Sequence, residues 1–475
     1  MSMAISAVQL SIWRDEDVRR TSAVEVTDSS TRAGVPHSLS DPRMGSQQVE
    51  CPTCRSHKCT GHHGHIELAK PIWRVPYLSY PRNIYRSVCE ACGRPRWTPF
   101  TRADRSDLKS AQRAAVADTR NGSGGSTAAF GAVRCLGPGM GPDDMVTADC
   151  MIRHLGDAFK DRERCPWTAE LLAAHRPGSA ARARACADDP ELEALLDRPP
   201  CGAPLPLYYE VSKIFLRRTW SVAANEALGA LPPAEQARWR EDITPEQTEA
   251  TFALLQPYTL RRLGFDPDAP SERTQPSAFV TRVQIVPPPM MRPTASDEMR
   301  GKSEDDLTFF LREILKANQV LRRKIEAHEL ASRAERVRCL ADPELPFAAA
   351  ARLVALDAEA KVLDDQAAVD RVRAAVARGS RAPPVTGDDL VDAWGAAFAE
   401  SVHAFDALEA TVRERTRAQA DDVADSWRLL AVACASMVDV GAASKVDLAQ
   451  FRKLVGKRDQ SRVNSRVDIR KRLSG

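Results

Sequence analysis

The amino-acid sequence predicts an α+β protein, mainly helical, with its irregular stretches pinned by metal. Three observations lead there. A Cys-Pro-Thr-Cys-Arg-Ser-His-Lys-Cys-Thr-Gly-His run spans Cys51 to His62. The short apolar run from Val283 to Val286 stops at Pro287, Pro288 and Pro289, as a strand does where the next residues have no amide to donate to a ladder. Residues 303–440 are alanine-rich and read as helix.

Taken in order, residues 1–50 are mixed and turn-rich, with Leu-Ser-Asp-Pro-Arg-Met-Gly-Ser at 39–46. The run from Cys51 to His62 has the spacing of a metal knuckle. Zinc favours four tetrahedral ligands drawn from cysteine sulfur and histidine nitrogen, and Cys51, Cys54, Cys59 and His62 supply such a set. Four protein ligands make a closed, structural site rather than one that activates substrate. His63 and His65, beside a full set, are expected to pack or hydrogen-bond. Cys89 and Cys92 form half of a second site. Spacing alone leaves Cys135, Cys150, Cys165, Cys186 and Cys201 as its remaining candidates. Cys201, followed by Gly202, is the best of them, and the fourth ligand is then Cys186 or Cys165.

Residues 101–200 carry a Gly-Ser loop from Asn121 to Ser126, a Gly-Pro-Gly-Met-Gly-Pro turn at 137–142, and alanine-rich helical stretches. Residues 201–300 read as mixed structure. Thr386 to Asp389 resembles a helix-capping sequence, after which Val391, Trp394, Phe398, Val402, Phe405 and Val412 recur at helical spacing and form a packing face. The Asp-Asp pairs at 143–144, 305–306, 364–365, 388–389 and 421–422 read as caps and solvated faces. Residues 445–475 hold ten Lys or Arg against three Asp, a local net charge of +7.

Composition narrows the class. The 475 residues suffice for about three domains. A net charge of +3 means that any nucleic-acid surface is local rather than global. Twelve cysteines without a secretory segment point to reduced thiols and bound metal rather than a disulfide framework. No apolar run approaches the roughly 18 residues of a membrane span, so the expected setting is nucleus, cytoplasm or viral factory.

Residues 51–71 resemble the zinc-bearing clamp segment of the largest subunit of multisubunit DNA-dependent RNA polymerases, whose pattern is close to C-x2-C-x6-C-x-G-H-F-G-H-I-x-L-A-x-P. Leu39 to Ser46 looks like that family's L-x-D-P-R-x-G. Val8 to Trp13 and Glu16 to Arg19 fit its opening. Leu263 to Phe265, Val286 to Pro293, and Ser303 to Asn318 resemble its L-G-F, V-P-P-P-x-x-R-P and E-D-D-L-T…I-L-K-A-N elements, in family order. The likeness is nearest to the RNA polymerase II and archaeal branch. Three departures stand out: the third cysteine comes two residues early, His63 replaces a phenylalanine, and residues 320–425 are longer and richer in alanine.

The resemblance implies a clamp core at 1–95 with the first zinc site and a clamp head at 96–235 with the second. It further implies a core return at 236–319 with a lid-like loop, a helical insertion at 320–440, and a basic rudder-like tail at 441–475. It assigns the second site to Cys89, Cys92, Cys186 and Cys201. It places Arg292, Arg300 and Lys302 on the lid near the DNA–RNA hybrid, and Lys453, Lys457, Arg458, Arg462, Arg466, Arg470, Lys471 and Arg472 against template phosphates. The family's catalytic magnesium loop, N-A-D-F-D-G-D, does not occur in these residues, so none of them is assigned a catalytic role. The expectation is a split largest subunit, of a kind that suits a large DNA virus, with magnesium bound by another chain. The second-largest subunit and the remaining polymerase subunits would be its partners. The rival expectation is a non-catalytic zinc-binding adaptor.

Overall fold

The structure is a computed structural model that describes residues 12–45, 50–121, 132–134, 145–206, 208–212, 214–220, 240–265, 267, 275–293, 295–297, 301–340 and 410–438. It divides into two compact units, one of residues 1–313 with 431–475 and one of residues 314–430. The described residues mix helix and strand, as the sequence predicts.

The first unit starts with helix α1 (Asp15–Thr21). Three acidic residues open it and two arginines close it, each matched to the helix dipole. Strand β1 (Val24–Glu25) runs parallel to β2 (Gly64–Trp73), and β2 pairs antiparallel with β8 (Val280–Val286). β2 alternates buried and half-buried residues from Gly64 to Ala69, the period expected of a strand with one covered face. Its register with β8 shifts between Glu67 and Ile72. Pro71 falls inside that shift, where a bulge tolerates the missing amide. β8 ends immediately before Pro287, as the proline run requires.

Between β2 and β8 the chain makes a long excursion. Helices α2 (Ser79–Ser87), α3 (Arg102–Arg120) and α4 (Ala148–Phe159) pack together, with α4 preceded by the hairpin of β3 (Ala132–Arg134) and β4 (Met145–Thr147). Short helices α5 (Ala169–Ala174), α6 (Ala180–Asp188) and α7 (Leu192–Leu196) follow. An antiparallel sheet of β5 (Tyr208–Ser212), β6 (Phe215–Thr219) and β7 (Arg240–Ile243) comes next, then α8 (Pro245–Ala253) and α9 (Pro257–Arg262). One apolar core joins these pieces: Trp73, Ile84, Tyr85, Trp97, Leu108, Met151, Leu155, Phe159, Phe252 and Phe279 are all buried in it.

Past Pro289 the hairpin of β9 (Ala295–Asp297) and β10 (Gly301–Ser303) leads to α10 (Asp306–Leu340). The Asp305 carboxylate caps that helix by accepting from the Leu307 amide at 2.9 Å. In the second unit α10 faces α11 (Arg417–Val438). Lys324 lies 3.6 Å from Asp422, and Glu335 is 2.8 Å from Arg415 at the end of the short helical stretch before α11. The ascending order on one side and the descending order on the other make the two segments antiparallel. Leu321, Val412, Val423, Trp427 and Leu430 are buried. The capping sequence at 386–389 and the stripe from Val391 to Phe405 lie outside the described residues, as do Arg300 and the whole basic tail, Lys453, Lys457, Arg458, Arg462, Arg466, Arg470, Lys471 and Arg472.

Arg292 corrects the sequence-based expectation of a nucleic-acid contact. Its side chain is buried and donates to the Pro287 carbonyl at 2.8 Å, the Thr308 hydroxyl at 3.2 Å and the Leu39 carbonyl. One guanidinium therefore joins three sequence blocks, at 39–46, 286–293 and 303–318. Burial lowers its pKa to about 10, which still leaves it charged at neutral pH. The reason is local geometry: proline carbonyls and a strand end leave acceptors without partners, and a planar five-donor fork satisfies several at once. Lys302 stands on β10 opposite Ser296. Asp41 plays the matching part in the first block. Burial opposes its charge, but the Arg43 side chain and the Arg43 and His37 amides hold its pKa at about 2. Arg292→Ala removes one donor group from three buried acceptors and is expected to lower stability by about 3 kcal/mol in urea unfolding. Unchanged stability would show that water or a neighbour satisfies them instead.

Candidate metal centres

The first cluster grows out of two tight turns. In Cys51 to Arg55 the Arg55 amide donates to the Cys51 carbonyl at 2.8 Å, and Arg55 adopts a left-handed conformation with φ of 55°. In Cys59 to His62 the Gly61 amide donates to the Cys59 sulfur at 3.3 Å, and the His62 amide donates to the Met44 carbonyl at 2.9 Å. The ligand atoms of Cys51, Cys54, Cys59 and His62 all lie within 4.8 Å of one another. Gly61 has φ of 101°, and a Cβ there would sit 2.7 Å from the Pro288 ring. Only glycine allows the proline run to close over this turn. His63 packs edge-on against Trp13, and His65 bonds the Ser22 hydroxyl at 2.7 Å, so neither joins the set.

Two observations show that the residues fit a bound metal. The His62 Nε2 atom is buried without a hydrogen-bond partner, which is unfavourable for an imidazole unless something else takes its lone pair or proton. Cys51, although burial favours its thiol, is held at a pKa of about 6 by the Cys54 and Thr53 amides, so it is largely thiolate at neutral pH. Metal ligation requires that form.

The second cluster is built over a longer range. After α2 the chain turns at Cys89 to Gly93, with the Gly93 amide on the Cys89 carbonyl at 2.8 Å. Gly93 has φ of 68°, and a Cβ there would lie 2.6 Å from the Leu254 carbonyl oxygen. Two further extended segments pair antiparallel: the Cys165 amide donates to Ala203 at 2.9 Å and the Cys201 amide to Trp167 at 2.8 Å. That pairing sets the sulfurs of Cys165 and Cys201 against those of Cys89 and Cys92, all within 4.8 Å. The Cys89–Cys201 and Cys92–Cys165 sulfur separations are both 3.8 Å. A tetrahedron with Zn–S bonds of about 2.3 Å has edges of about 3.8 Å, whereas a disulfide bond measures about 2.05 Å.

Here the structure corrects the fourth ligand. Cys165 completes the set, and Cys186 does not belong to it. Cys186 sits within α6, and it packs near the cluster without joining it. The 35 residues between Cys165 and Cys201 fold into α5, α6 and α7 and return the chain to where it left. Spacing could not show this. Cys135 lies outside the described residues, and Cys150 is buried on α4.

At the second cluster hydrogen bonds from Cys165 and Cys89 lower the Cys92 pKa to about 4, which makes Cys92 the thiolate of the set, while Cys89 and Cys92 push Cys165 up and Cys89 is itself raised. Arg94 is fully buried over the Trp167 ring, 5.4 Å from its centroid, and donates to the Pro199 carbonyl at 3.0 Å. Its Nε and Nη1 atoms have no hydrogen-bond partner. A buried cation with two orphaned donors needs nearby negative charge, and the cysteine sulfurs supply it. Glu90 ties the turn to the neighbouring sheet by accepting from Tyr209 and Arg218. None of the roles of Arg94, Arg292 or Glu90 carried a signal in the sequence beyond proximity to a motif.

Two clusters of four residues, each at irregular turns, are arranged as metal centres could be in a protein of mixed helix and strand. The chain belongs to the family RNA polymerase Rpb1, domain 1, which matches residues 2–338. It is 24% identical over 332 residues to DNA-directed RNA polymerase subunit Rpo1N of Thermococcus celer, covering 68% of this chain and 28% of that subunit. It is 25% identical over 331 residues to the subunit of the same name in Methanothermobacter thermautotrophicus, again 68% and 28%. A stretch of 101 residues is 38% identical to Frog virus 3 protein 008R, named as a candidate DNA-directed RNA polymerase, covering 19% of this chain and 7% of that protein. The chain thus spans 28% of the length of its archaeal relatives.

The ligand assignment has a direct check. Cys165→Ser is expected to lose about one bound metal per chain by elemental analysis, and Cys186→Ser to lose none. The reverse pattern would restore Cys186 to the site.

Proposed function

We propose that this chain forms the clamp portion of the largest subunit of a DNA-dependent RNA polymerase, and that both clusters hold structural zinc. Family membership across residues 2–338 is the observation that carries this reading. The sulfur-rich donor sets of both clusters support zinc. In this reading residues 1–95, 236–319 and their metal form the clamp core, 96–235 the clamp head, 320–440 a helical insertion, and 441–475 a basic tail toward template phosphates. By the family resemblance Arg300 and Lys302 would belong to the lid near the hybrid. Arg292 instead anchors the base of the hairpin of β9 and β10.

Zinc, when bound, supplies folding free energy to turns that have little core of their own. The chain's residues do the remaining work. Arg292 joins the proline run to the Asp41 turn, and Glu90 and Arg94 fix the second knuckle against its surroundings. A clamp has to move as one piece while it holds nucleic acid, and these contacts make the pieces rigid. Nucleotidyl transfer needs paired metal ions on carboxylates. Asn-Ala-Asp-Phe-Asp-Gly-Asp is not found among these 475 residues, so that chemistry, with its magnesium, would come from sequence outside them. The described residues contain no helix long and apolar enough to cross a membrane. Nucleus, cytoplasm or a viral factory remains the proposed setting.

Tagged protein purified from its native cell is expected to bring down a second-largest RNA polymerase subunit together with sequence bearing the missing aspartate loop. Recovery of neither, with both metals still bound, would favour the zinc-binding adaptor.

A further inference from the structure

We propose that Cys54 is an oxidation site: a hydroperoxide acting there joins Cys54 to Cys51 and frees the metal of the first centre, while the second centre stays intact. The two clusters differ in how they meet solvent. Cys54 is the one exposed residue among their eight members, and no other described cysteine is exposed. Thr53, Arg55, His57 and Lys58 around it are exposed as well. Cys51, on the same turn, is wholly buried, and Cys59 is buried with the Gly61 amide on its sulfur. In the second cluster Cys89 and Cys165 are buried, and Cys92 and Cys201 are half-buried among Trp167, Leu195, Leu205 and Tyr258. Oxidation of a thiolate follows its exposure, so a small oxidant in water meets Cys54 before any of the others.

The chemistry closes on residues already in place. The Cys54 thiolate attacks one oxygen of hydrogen peroxide; an S–O bond forms, the O–O bond breaks, and hydroxide leaves. The Cys51 thiolate then attacks the Cys54 sulfur; an S–S bond forms, the S–O bond breaks, and a second hydroxide leaves. The two sulfurs lose two electrons and the peroxide gains them. Cys51 and Cys54 already lie within reach of each other, because their sulfurs belong to one set within 4.8 Å and the Arg55 amide closes the turn on the Cys51 carbonyl at 2.8 Å. Two of the four donors are then spent, and Cys59 and His62 alone do not close a tetrahedral shell.

The first centre is also a junction for chain that lies elsewhere in the sequence. From one half of the set, the Thr53 hydroxyl donates to the Arg43 carbonyl at 2.7 Å. From the other half, the His62 amide donates to the Met44 carbonyl at 2.9 Å. Gly61 presses on the Pro288 ring, and a Cβ at Gly45 would lie 3.1 Å from the Cys59 sulfur. The metal holds the two halves together around residues 43–45 and against the proline run. Once it leaves, only the Cys51–Cys54 half remains cross-linked, and the segments gripped between the halves loosen.

This proposal rests on the reading that the first cluster holds zinc, and the test separates the two. Zinc in the purified full chain is measured by elemental analysis, and the chain is then treated with hydrogen peroxide. Free zinc is followed with a chromogenic chelator, and differential alkylation with peptide mass mapping reads each cysteine. The expected result is release of about one zinc per chain with a Cys51–Cys54 disulfide, while Cys89, Cys92, Cys165 and Cys201 remain reduced. Amide hydrogen exchange is expected to quicken across 39–45 and 286–293 at the same time. A chain without zinc before treatment would sink the zinc reading and this proposal with it. Zinc bound beforehand but retained in peroxide would overturn the proposal alone. So would equal oxidation of both clusters, a disulfide elsewhere, or zinc release with no change of exchange in either segment.

Discussion

Four cysteine sulfurs from three separate stretches of chain have to meet around one point, and much of the first unit is arranged to let them. Cys89 and Cys201 are 112 residues apart, yet their sulfurs are 3.8 Å from each other. Holding a loop of that length closed opposes substantial chain entropy, and a metal clip is most effective where the loop is long. The consequences reach outward. Trp167 is fully buried and donates to the Pro95 carbonyl, Arg94 lies over its ring, and Arg198 reaches the Cys92 and Leu254 carbonyls. These contacts exist only while the two hairpin segments remain side by side.

A second constraint is the supply of backbone acceptors in proline-rich turns. Proline ends a strand but leaves its carbonyls exposed to the interior. Arginine is used repeatedly to answer them: Arg292 at Pro287 and Leu39, Arg94 at Pro199, Arg96 at Val88. These guanidiniums are buried, which would be unfavourable in an ordinary core. Here they replace apolar packing that the short segments cannot provide. A residue type that suggests nucleic acid from outside can be a structural rivet, and burial distinguishes the two. Arg292 is enclosed.

What could be read from the sequence followed the range of each interaction. β8 and its stop were legible, because a strand bounded by three prolines is a local pattern. The grouping of Cys51, Cys54, Cys59 and His62 was legible for the same reason, since one short segment carries all four. His65, expected to hydrogen-bond beside that set, bonds Ser22. The second set was only half legible. Cys89, Cys92 and Cys201 had local cues in a Cys-x2-Cys pair and a following glycine. Choosing Cys165 over Cys186 depends on how α5 to α7 return the chain, and spacing does not encode that. Arg292 was misjudged because the carbonyls it satisfies come from residues up to 253 positions away. The break in β2 was not foreseen either, although Pro71 marks the place.

Zinc K-edge X-ray absorption of the purified full chain tests the central claim most directly, because it reports ligand type and distance without altering a residue. Seven cysteine sulfurs and one histidine nitrogen shared by two ions predict an average shell of about 3.5 sulfurs at about 2.3 Å and half a nitrogen at about 2.0 Å per zinc. A shell dominated by oxygen or nitrogen, or one with about two sulfurs per metal, would contradict the account that both clusters close around zinc and hold the fold together.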